Sequence, residues 1–191
     1  PPADNHFYVA LAAAWLHRQT GDTAFLIERI AGLTVLDRLA LAYAAPEFDP
    51  TTGLFTTPEA ARAVGFGFCD TVYLTGRLLF PSLLKWQAAG ALAALCRAVG
   101  DARGRTFAAD AERIAAAIVP TFAVPSALGG HGWLLAGTGA GRVPDVWGTL
   151  YALHLGLLDD EPEARHRALR TVTAAAREPG EIAVRAAVRH V

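Results

Sequence analysis

The sequence repeats one arrangement three times: a polar loop that contains an aspartate leads into a strongly apolar segment, and an amphipathic segment follows it. The aspartates of the three loops are Asp4, Asp70 and Asp145, and aromatic residues stand close to each of them. This pattern predicts helical hairpins whose apolar helices begin at one shared face. We therefore expect the three carboxylates to lie at one end of the molecule.

Alternating apolar and amphipathic segments predict an all-α fold. A helix that is apolar on every side is buried, whereas an amphipathic helix keeps one wet face. Turn signals at Gly21-Asp22 and Gly100-Asp101 separate the two members of the first and second pairs. Inner helices are expected over residues 5–18, 81–99 and 144–158, and outer helices over residues 23–43, 103–119 and 161–177.

One domain accounts for the whole chain of 191 residues, with hairpins at about 4–44, 81–119 and 144–177. A net charge of −1 offers no basic patch, so no nucleic-acid partner is expected. The longest apolar run, residues 146–158, is shorter than the roughly 20 residues of a membrane span, so no membrane partner is expected either. We expect a cytoplasmic location, and buried, reduced thiols at Cys69 and Cys96.

Two long loops, over residues 45–80 and 120–143, precede the second and third inner helices. The first contains the turn sequence Asp49-Pro50-Thr51-Thr52-Gly53. Loops of this length within a compact domain are usually functional. We therefore expect the functional face at the end where the inner helices begin.

Three segments of the chain resemble a known enzyme family. The segments are DNHFYVALAAAWLHRQTGD, GFCDTVYLTGRLLFPSLLKW and GWLLAGTGAGRVPDVWGTLYALHLGLL, in chain order. They resemble the six-hairpin glycosidases, above all the glycogen-debranching-like and rhamnosidase-like branches, and the resemblance extends from Asp4 to about Arg177. It implies an (α/α)6 toroid, of which this chain supplies about three hairpins, that is, a partial toroid of alternating inner and outer helices.

The resemblance also implies a function. A sugar pocket lies on the axis of such toroids, and an α-linked glycoside is hydrolysed there with inversion by an acid and a base. The expected partners are a carbohydrate substrate and either the other half of the toroid or a second copy. The six histidines lack the spacing of metal ligands, so neither a metal nor another cofactor is expected.

Three aspartates are candidates for this chemistry. Inversion needs an acid that protonates the leaving oxygen and a carboxylate that activates water, roughly 6.5–9.5 Å apart. Asp70 is the first candidate, because an apolar surround such as Phe66 and Phe68 raises the pKa of a carboxyl group, with capping of a turn as the alternative. Asp4 is the second, with capping of the first helix as an equally good role. Asp145 is assigned to substrate binding, with a place in the first helical turn as the alternative.

Further loop residues are candidates for contacts with the sugar. Aromatic rings provide apolar faces for stacking, whereas amide, imidazole and guanidinium groups hydrogen-bond to hydroxyls. Besides Asp145, the candidate substrate-binding residues are Asn5, His6, Phe68, His131, Trp133, Arg142 and Trp147. Trp15 and Trp86 lie within helices, where we expect them in the core. Arg77 and Arg142 are each expected to pair with a loop carboxylate, to hold a sugar hydroxyl or to lie on the surface.

A non-catalytic helical-repeat scaffold is the alternative function, since stacked hairpins also form surfaces that bind carbohydrate or protein. A scaffold without sugar affinity would tolerate polar replacement of Trp133 and Trp147. A terpene-type cyclase, another kind of toroid enzyme, needs an acidic run or clustered metal ligands, and the sequence has neither.

Overall fold

The computed structural model describes residues 4–58, 74–124, 134–140 and 142–177, with the backbone alone for residues 171–177. Within these residues the protein is mostly helical, as expected, and every strand is two residues long. The helices are α1 (Asn5–Thr20), α2 (Ala24–Ile27), α3 (Val35–Ala44), α4 (Leu79–Ala98), α5 (Gly104–Phe122), α6 (Val146–His154) and α7 (Pro162–Arg177). The strands are β1 (Arg29–Ile30), β2 (Leu33–Thr34), β3 (Thr56–Thr57), β4 (Gly76–Arg77), β5 (Leu134–Leu135) and β6 (Pro144–Asp145).

The long helices pack in consecutive pairs. Phe7, near the start of α1, meets Tyr43, near the end of α3, edge to face with ring centroids 6.3 Å apart. The turn between α4 and α5 includes Gly100, whose φ of 73° is a conformation that glycine adopts without strain. α6 packs against α7. The pairs are therefore α1–α3, α4–α5 and α6–α7.

The starts of α1, α4 and α6 lie at the same end of the molecule. Phe55 connects the first two, because its ring centroid is 6.5 Å from that of Phe7 and its amide donates to the Ser82 hydroxyl of α4 at 3.0 Å. The start of α4 is joined to the segment before α6, since the Leu79 amide donates to the Ala136 carbonyl oxygen at 3.0 Å. One end of the molecule therefore carries the N-termini of all three helices.

Short antiparallel ladders hold together the segments that lead into α4 and α6. β3 pairs with β4, and β5 pairs with β6. The ladders are connected because the Arg77 amide donates to the Thr138 hydroxyl at 2.9 Å and the Gly139 amide donates to the Thr75 carbonyl oxygen at 2.9 Å. A Cβ on Gly139 would lie 2.7 Å from the Thr75 carbonyl group, so this contact requires glycine. The entry platform, as we call this unit, consists of residues 54–57, 75–79, 134–140 and 142–145.

Helix α4 lies at the centre of the core. Twelve of its residues are buried, and it packs against α1, α3, α5 and α6. Leu84 and Leu92 belong to an apolar cluster shared mainly with α1 and α3, whereas Leu79 and Leu83 belong to a second cluster shared with α5 and α6. The two clusters meet along α4, so this helix fixes the position of its neighbours.

By length and composition alone, α4 also qualifies as a helix that could cross a membrane. However, 67% of its most apolar stretch is buried inside the protein. Burial against four other helices is typical of the central helix of a packed helical domain.

The outer helix expected over residues 23–43 is wrong, because α2, the β1–β2 hairpin and α3 occupy this stretch. The hairpin turns at Ala31 and Gly32, which have φ of 50° and 87°, as in a two-residue turn of type I′. Thr34 then begins α3 with a capping box: its hydroxyl accepts from the Asp37 amide, and its amide donates to the Asp37 carboxylate. The Thr34-x-x-Asp37 pair is a helix-start signal that the apolar pattern conceals.

Helix α1 is less buried than its apolar sequence predicts. Phe7 and Ala10 are its buried residues. The expectation that Trp15 lies in the core is wrong, since this residue is 58% exposed, whereas Trp86 of α4 is partly buried against the core. Among the described residues, α1 packs mainly against α3 and α4, and most of the residues on its other side are exposed.

The remaining helix bounds differ from the expected ones by a few residues. α5 continues through Pro120, and α6 begins after Asp145 and ends at His154 rather than near residue 158. The turn expected at residues 49–53 is confirmed, since Gly53 has φ of 73° and its amide donates to the Asp49 carbonyl oxygen at 2.7 Å.

Candidate functional site

The candidate functional face is the end of the molecule at which α1, α4 and α6 begin. A helix N-terminus presents amide groups and a partial positive charge, which attract carboxylates and hydroxyls. In the sequence, residues 59–73 stand between β3 and β4, and residues 125–133 stand between α5 and β5. Four of the predicted site residues fall in these two segments and lie outside the described residues: Phe68, Asp70, His131 and Trp133.

Asp145 caps helix α6. Its carboxylate accepts a hydrogen bond from the Gly148 amide at 2.8 Å, and the residue is 1% exposed. A Cβ on Gly148 would lie 2.6 Å from Leu79 Cδ2 and closer still to the Asp145 carboxylate, so glycine allows α6 to begin against the start of α4. Asp145 therefore has a structural role at the start of α6. A role of this kind is the alternative to substrate binding that the sequence analysis gives for it.

Asp4 behaves differently at the start of α1. It occupies the N-cap position and is 3% exposed, but its side chain makes no capping hydrogen bond. The Asp4 side chain therefore does not cap α1, although capping is the alternative role expected from the sequence. The pKa of Tyr8 is raised by burial and, to a smaller extent, by the neighbouring Asp4 charge. Asp4 is thus a buried carboxylate close to a phenol, an arrangement that suits proton transfer or hydrogen bonding to a ligand.

The other described candidates differ in accessibility. Asn5 is exposed in the first turn of α1, and His6 beside it is half-buried. Arg142 is exposed just before β6. Trp147, in the first turn of α6, is 62% exposed and is the large aromatic residue that the face offers most openly among the described residues. The fold brings these residues to the starts of α1 and α6, at one end of the molecule.

Three aromatic residues that the sequence does not single out form an aromatic cluster: Tyr8 of α1, Phe80 of α4 and Tyr151 of α6. The rings of Phe80 and Tyr151 are 5.4 Å apart between centroids. Burial, with a smaller contribution from Tyr8, raises the pKa of Tyr151 to about 12, and the Tyr151 hydroxyl donates to Gln87 Oε1. Because each ring comes from a different helix, only the packing of the three helices brings the cluster together.

Arg77 pairs with a loop carboxylate, which is one of the three roles expected for it. Its Nη2 lies 2.6 Å from Asp49 Oδ2, and its Nε donates to the same oxygen at 2.7 Å. The Thr51 amide and then Arg77 are the main causes that lower the pKa of Asp49 to about 2. The ion pair fastens the 49–53 turn to β4 and so supports the entry platform.

Lys85, the single lysine of the sequence, is buried in the middle of α4 and is 1% exposed. Its Nζ donates to the Gly53 carbonyl oxygen at 2.9 Å and lies 3.6 Å from the centroid of the Phe48 ring. Burial lowers its pKa to about 8, although the Asp110 carboxylate opposes this shift. A lone lysine in an apolar helix is the sequence signal that marks this contact.

Among the described residues, no group of three or more His, Cys, Asp and Glu side chains lies close enough to hold a metal ion. Cys96 is a buried free thiol, as expected, and Cys69 lies outside the described residues.

No protein-family model, curated protein or solved structure matches this chain. The fold and the side chains at the shared helix starts are therefore the basis of the function proposed below.

Proposed function

We propose that this chain is a glycoside hydrolase-type domain that cleaves an α-linked sugar by acid and base catalysis with inversion. The proposal rests on the placement of Asp4 and Trp147 at the starts of α1 and α6, with the rings of the aromatic cluster contributed by α1, α4 and α6. Aromatic rings stack on the apolar faces of sugar rings, and a buried carboxylate serves proton transfer. In this proposal the hairpins belong to an (α/α)6 toroid of the six-hairpin glycosidase type.

Asp70 is the proposed acid and Asp4 the proposed base. Asp70 donates its proton to the glycosidic oxygen as the bond from that oxygen to the anomeric carbon breaks. Asp4 removes a proton from a water molecule as this water attacks the anomeric carbon from the opposite face, which inverts its configuration. Asp145 contributes indirectly, because it holds the start of α6 against α4.

The substrate is gripped by side chains of two kinds in this proposal. Trp147 and the aromatic cluster provide stacking surfaces, to which the loops add aromatic rings of their own. Asn5, His6 and Arg142 are placed at the rim, where amide, imidazole and guanidinium groups donate to sugar hydroxyls. The proposed loop contacts are Phe68, His131 and Trp133.

Two types of substrate test the assignment of acid and base. Asp70→Asn is expected to slow hydrolysis of α-linked disaccharides by at least about 100-fold. It should slow aryl α-glycosides much less, because a nitrophenolate leaves without a proton. Asp4→Asn should slow both substrates to a similar extent. Asp160→Asn, at an exposed carboxylate after α6, is the matched control and should retain the normal rate.

These assays are run with glucosides, mannosides and rhamnosides, and the anomer released is identified by NMR. A normal rate for Asp70→Asn removes that residue from the mechanism. If the protein neither hydrolyses nor binds any of the three sugars, the proposal as a whole is overturned.

A carbohydrate-binding scaffold without catalysis is the second candidate, and the capping role of Asp145 favours it. One of the three repeated carboxylates is engaged in holding a helix, so the repeat does not by itself require chemistry. Oligosaccharide binding measured by calorimetry separates the two functions. A scaffold binds without turnover, loses affinity in Trp147→Ala and keeps it in Asp4→Asn and Asp70→Asn.

A further inference from the structure

Helix α1 carries an exposed stripe that extends well beyond the proposed sugar site. Its exposed residues recur at intervals of three and four. Since a helix turns by about 100° per residue, they lie within about 60° of a line through Ala12. The residues of this stripe are Asn5, Tyr8, Val9, Ala12, Trp15, Leu16 and Gln19. A continuous apolar surface of this kind marks a contact with another molecule.

The stripe has the same pattern in both directions from Ala12. Tyr8 and Val9 stand four and three residues before Ala12, and Trp15 and Leu16 stand three and four residues after it. Each pair combines one aromatic and one aliphatic side chain. In two antiparallel copies related by a two-fold axis at Ala12, residue 8 faces residue 16 and residue 9 faces residue 15. Each aromatic side chain therefore meets an aliphatic one.

The ends and the centre of the stripe agree with this pairing. Asn5 and Gln19 lie seven residues on either side of Ala12, so an antiparallel pair places one amide side chain against another. The small Ala12 side chain at the axis allows two helices to approach closely. No charged residue lies on the stripe, and Arg18 lies about 120° away around the helix, so like charges do not meet across the axis.

We propose that α1 packs against α1 of a second copy of this chain in an antiparallel dimer with its two-fold axis at Ala12. Two-fold dimers are the commonest oligomers, and their interface must be complementary to itself, which is the property of this stripe. Among the described residues, α3 and α4 pack against α1, and the residues of the stripe are exposed. The interface includes Asn5 and Tyr8, which the sugar site proposed above also uses, so the second copy lies at the edge of that site.

Sedimentation equilibrium with two matched variants tests the dimer. Leu16→Arg places a charge inside the interface and is expected to weaken dimerisation by at least about 100-fold. Leu41→Arg makes the same change at the exposed face of α3, where Leu41 is 58% exposed, and should leave dimerisation unchanged. Thermal unfolding checks that both variants fold. A monomeric wild type, or equal responses of the two variants, would overturn the proposal.

Oxidative crosslinking tests the antiparallel register. Ala12→Cys is expected to form a disulfide between two copies, because residues on a two-fold axis come within the roughly 7 Å between Cα atoms that a disulfide spans. Arg18→Cys is the control on the side of α1 away from the stripe and should crosslink no more than the wild type. Crosslinking of both variants to the same extent, or of neither, contradicts the proposed axis.

Discussion

Helices α1 and α4 both consist mainly of apolar residues, but their surroundings differ. α4 is enclosed by four helices, and 12 of its 20 residues are buried, whereas α1 contacts α3 and α4 and has two buried residues among 16. An apolar helix needs cover on all sides, and the described residues supply it for α4 alone. Apolar composition therefore indicates that a helix needs neighbours, while the number of neighbours decides which of its faces are buried.

Matched leucine truncations should give the largest difference between the two helices. Leu83 of α4 is fully buried between α5 and α6, so Leu83→Ala should lower the free energy of unfolding by about 3 kcal/mol through lost burial and a cavity. Leu16→Ala on the exposed side of α1 should cost less than about 0.5 kcal/mol. Urea unfolding in dilute solution, where a second copy does not contribute, measures both. Equal costs would contradict the difference in burial.

Two glycine variants compare the closely packed segment before α4 with the end of α1, where nothing lies near the Cβ position. Gly76 has φ of 79°, and a Cβ there would lie 2.6 Å from the Thr138 hydroxyl and 2.8 Å from the Gly139 amide nitrogen. Gly76→Ala should therefore cost about 2–3 kcal/mol. Gly21, at the end of α1, has φ of 70° with nothing near its Cβ position, so Gly21→Ala should cost about 1 kcal/mol. Equal losses in thermal unfolding would show that backbone strain alone decides both.

Lys85 should make the stability of the α4 region depend on pH. Burial lowers the pKa of Lys85 from 10.5 to about 8, so between pH 8 and pH 10 the unfolded chain binds more protons than the folded chain. Stability due to this group therefore rises with pH, by about 1–2 kcal/mol over that window. Lys85→Met, which has no titrating group, should lack this rise.

The difference in unfolding free energy between wild type and Lys85→Met isolates the lysine. The raised pKa values of Tyr43 and Cys96 act in the opposite direction, because these groups ionise earlier in the unfolded chain. The Cys96 contribution is common to both proteins and cancels in the difference. Because the Tyr43 ring centroid lies 5.3 Å from Lys85 Nζ, both proteins are compared in a Tyr43→Phe background. A difference that stays constant from pH 8 to pH 10 would show that Lys85 does not titrate in this range.

Features encoded by neighbouring residues are the ones that the sequence predicts well. The turns at Gly21 and Gly100 follow from the conformational freedom of glycine, and the 49–53 turn follows from its Asp, Pro and Gly. The hairpin at Ala31 and Gly32 is missed because apolar residues on both sides continue a helical pattern through it. Gly32 is a local turn signal, but the apolar residues on both sides of it have the spacing of one continuous helix.

Features that depend on distant contacts are harder to predict. Tyr8, Phe80 and Tyr151 are ordinary helix residues in the sequence, and only the packing of three helices brings them together. Asp4 and Asp145 look equivalent as aspartates before apolar helices. Their roles differ because the Asp145 carboxylate reaches the Gly148 amide, whereas the Asp4 side chain makes no such capping bond.

The smallest expected effect concerns exposed positions in α1 and α4. It tests whether substitutions there change the free energy of unfolding equally in the two helices. Gly90 lies on the exposed side of α4 with nothing within 4 Å of its Cβ position, so Gly90→Ala should raise the free energy of unfolding by about 0.5–1 kcal/mol through helix propensity alone. Ala12→Gly, on the exposed side of α1, is the reverse change and should lower it by the same amount in dilute solution. Chemical unfolding of both variants gives the comparison. If Gly90→Ala is destabilising while Ala12→Gly costs the expected amount, the exposed side of α4 is more crowded than that of α1, and the two helices differ even where both face solvent.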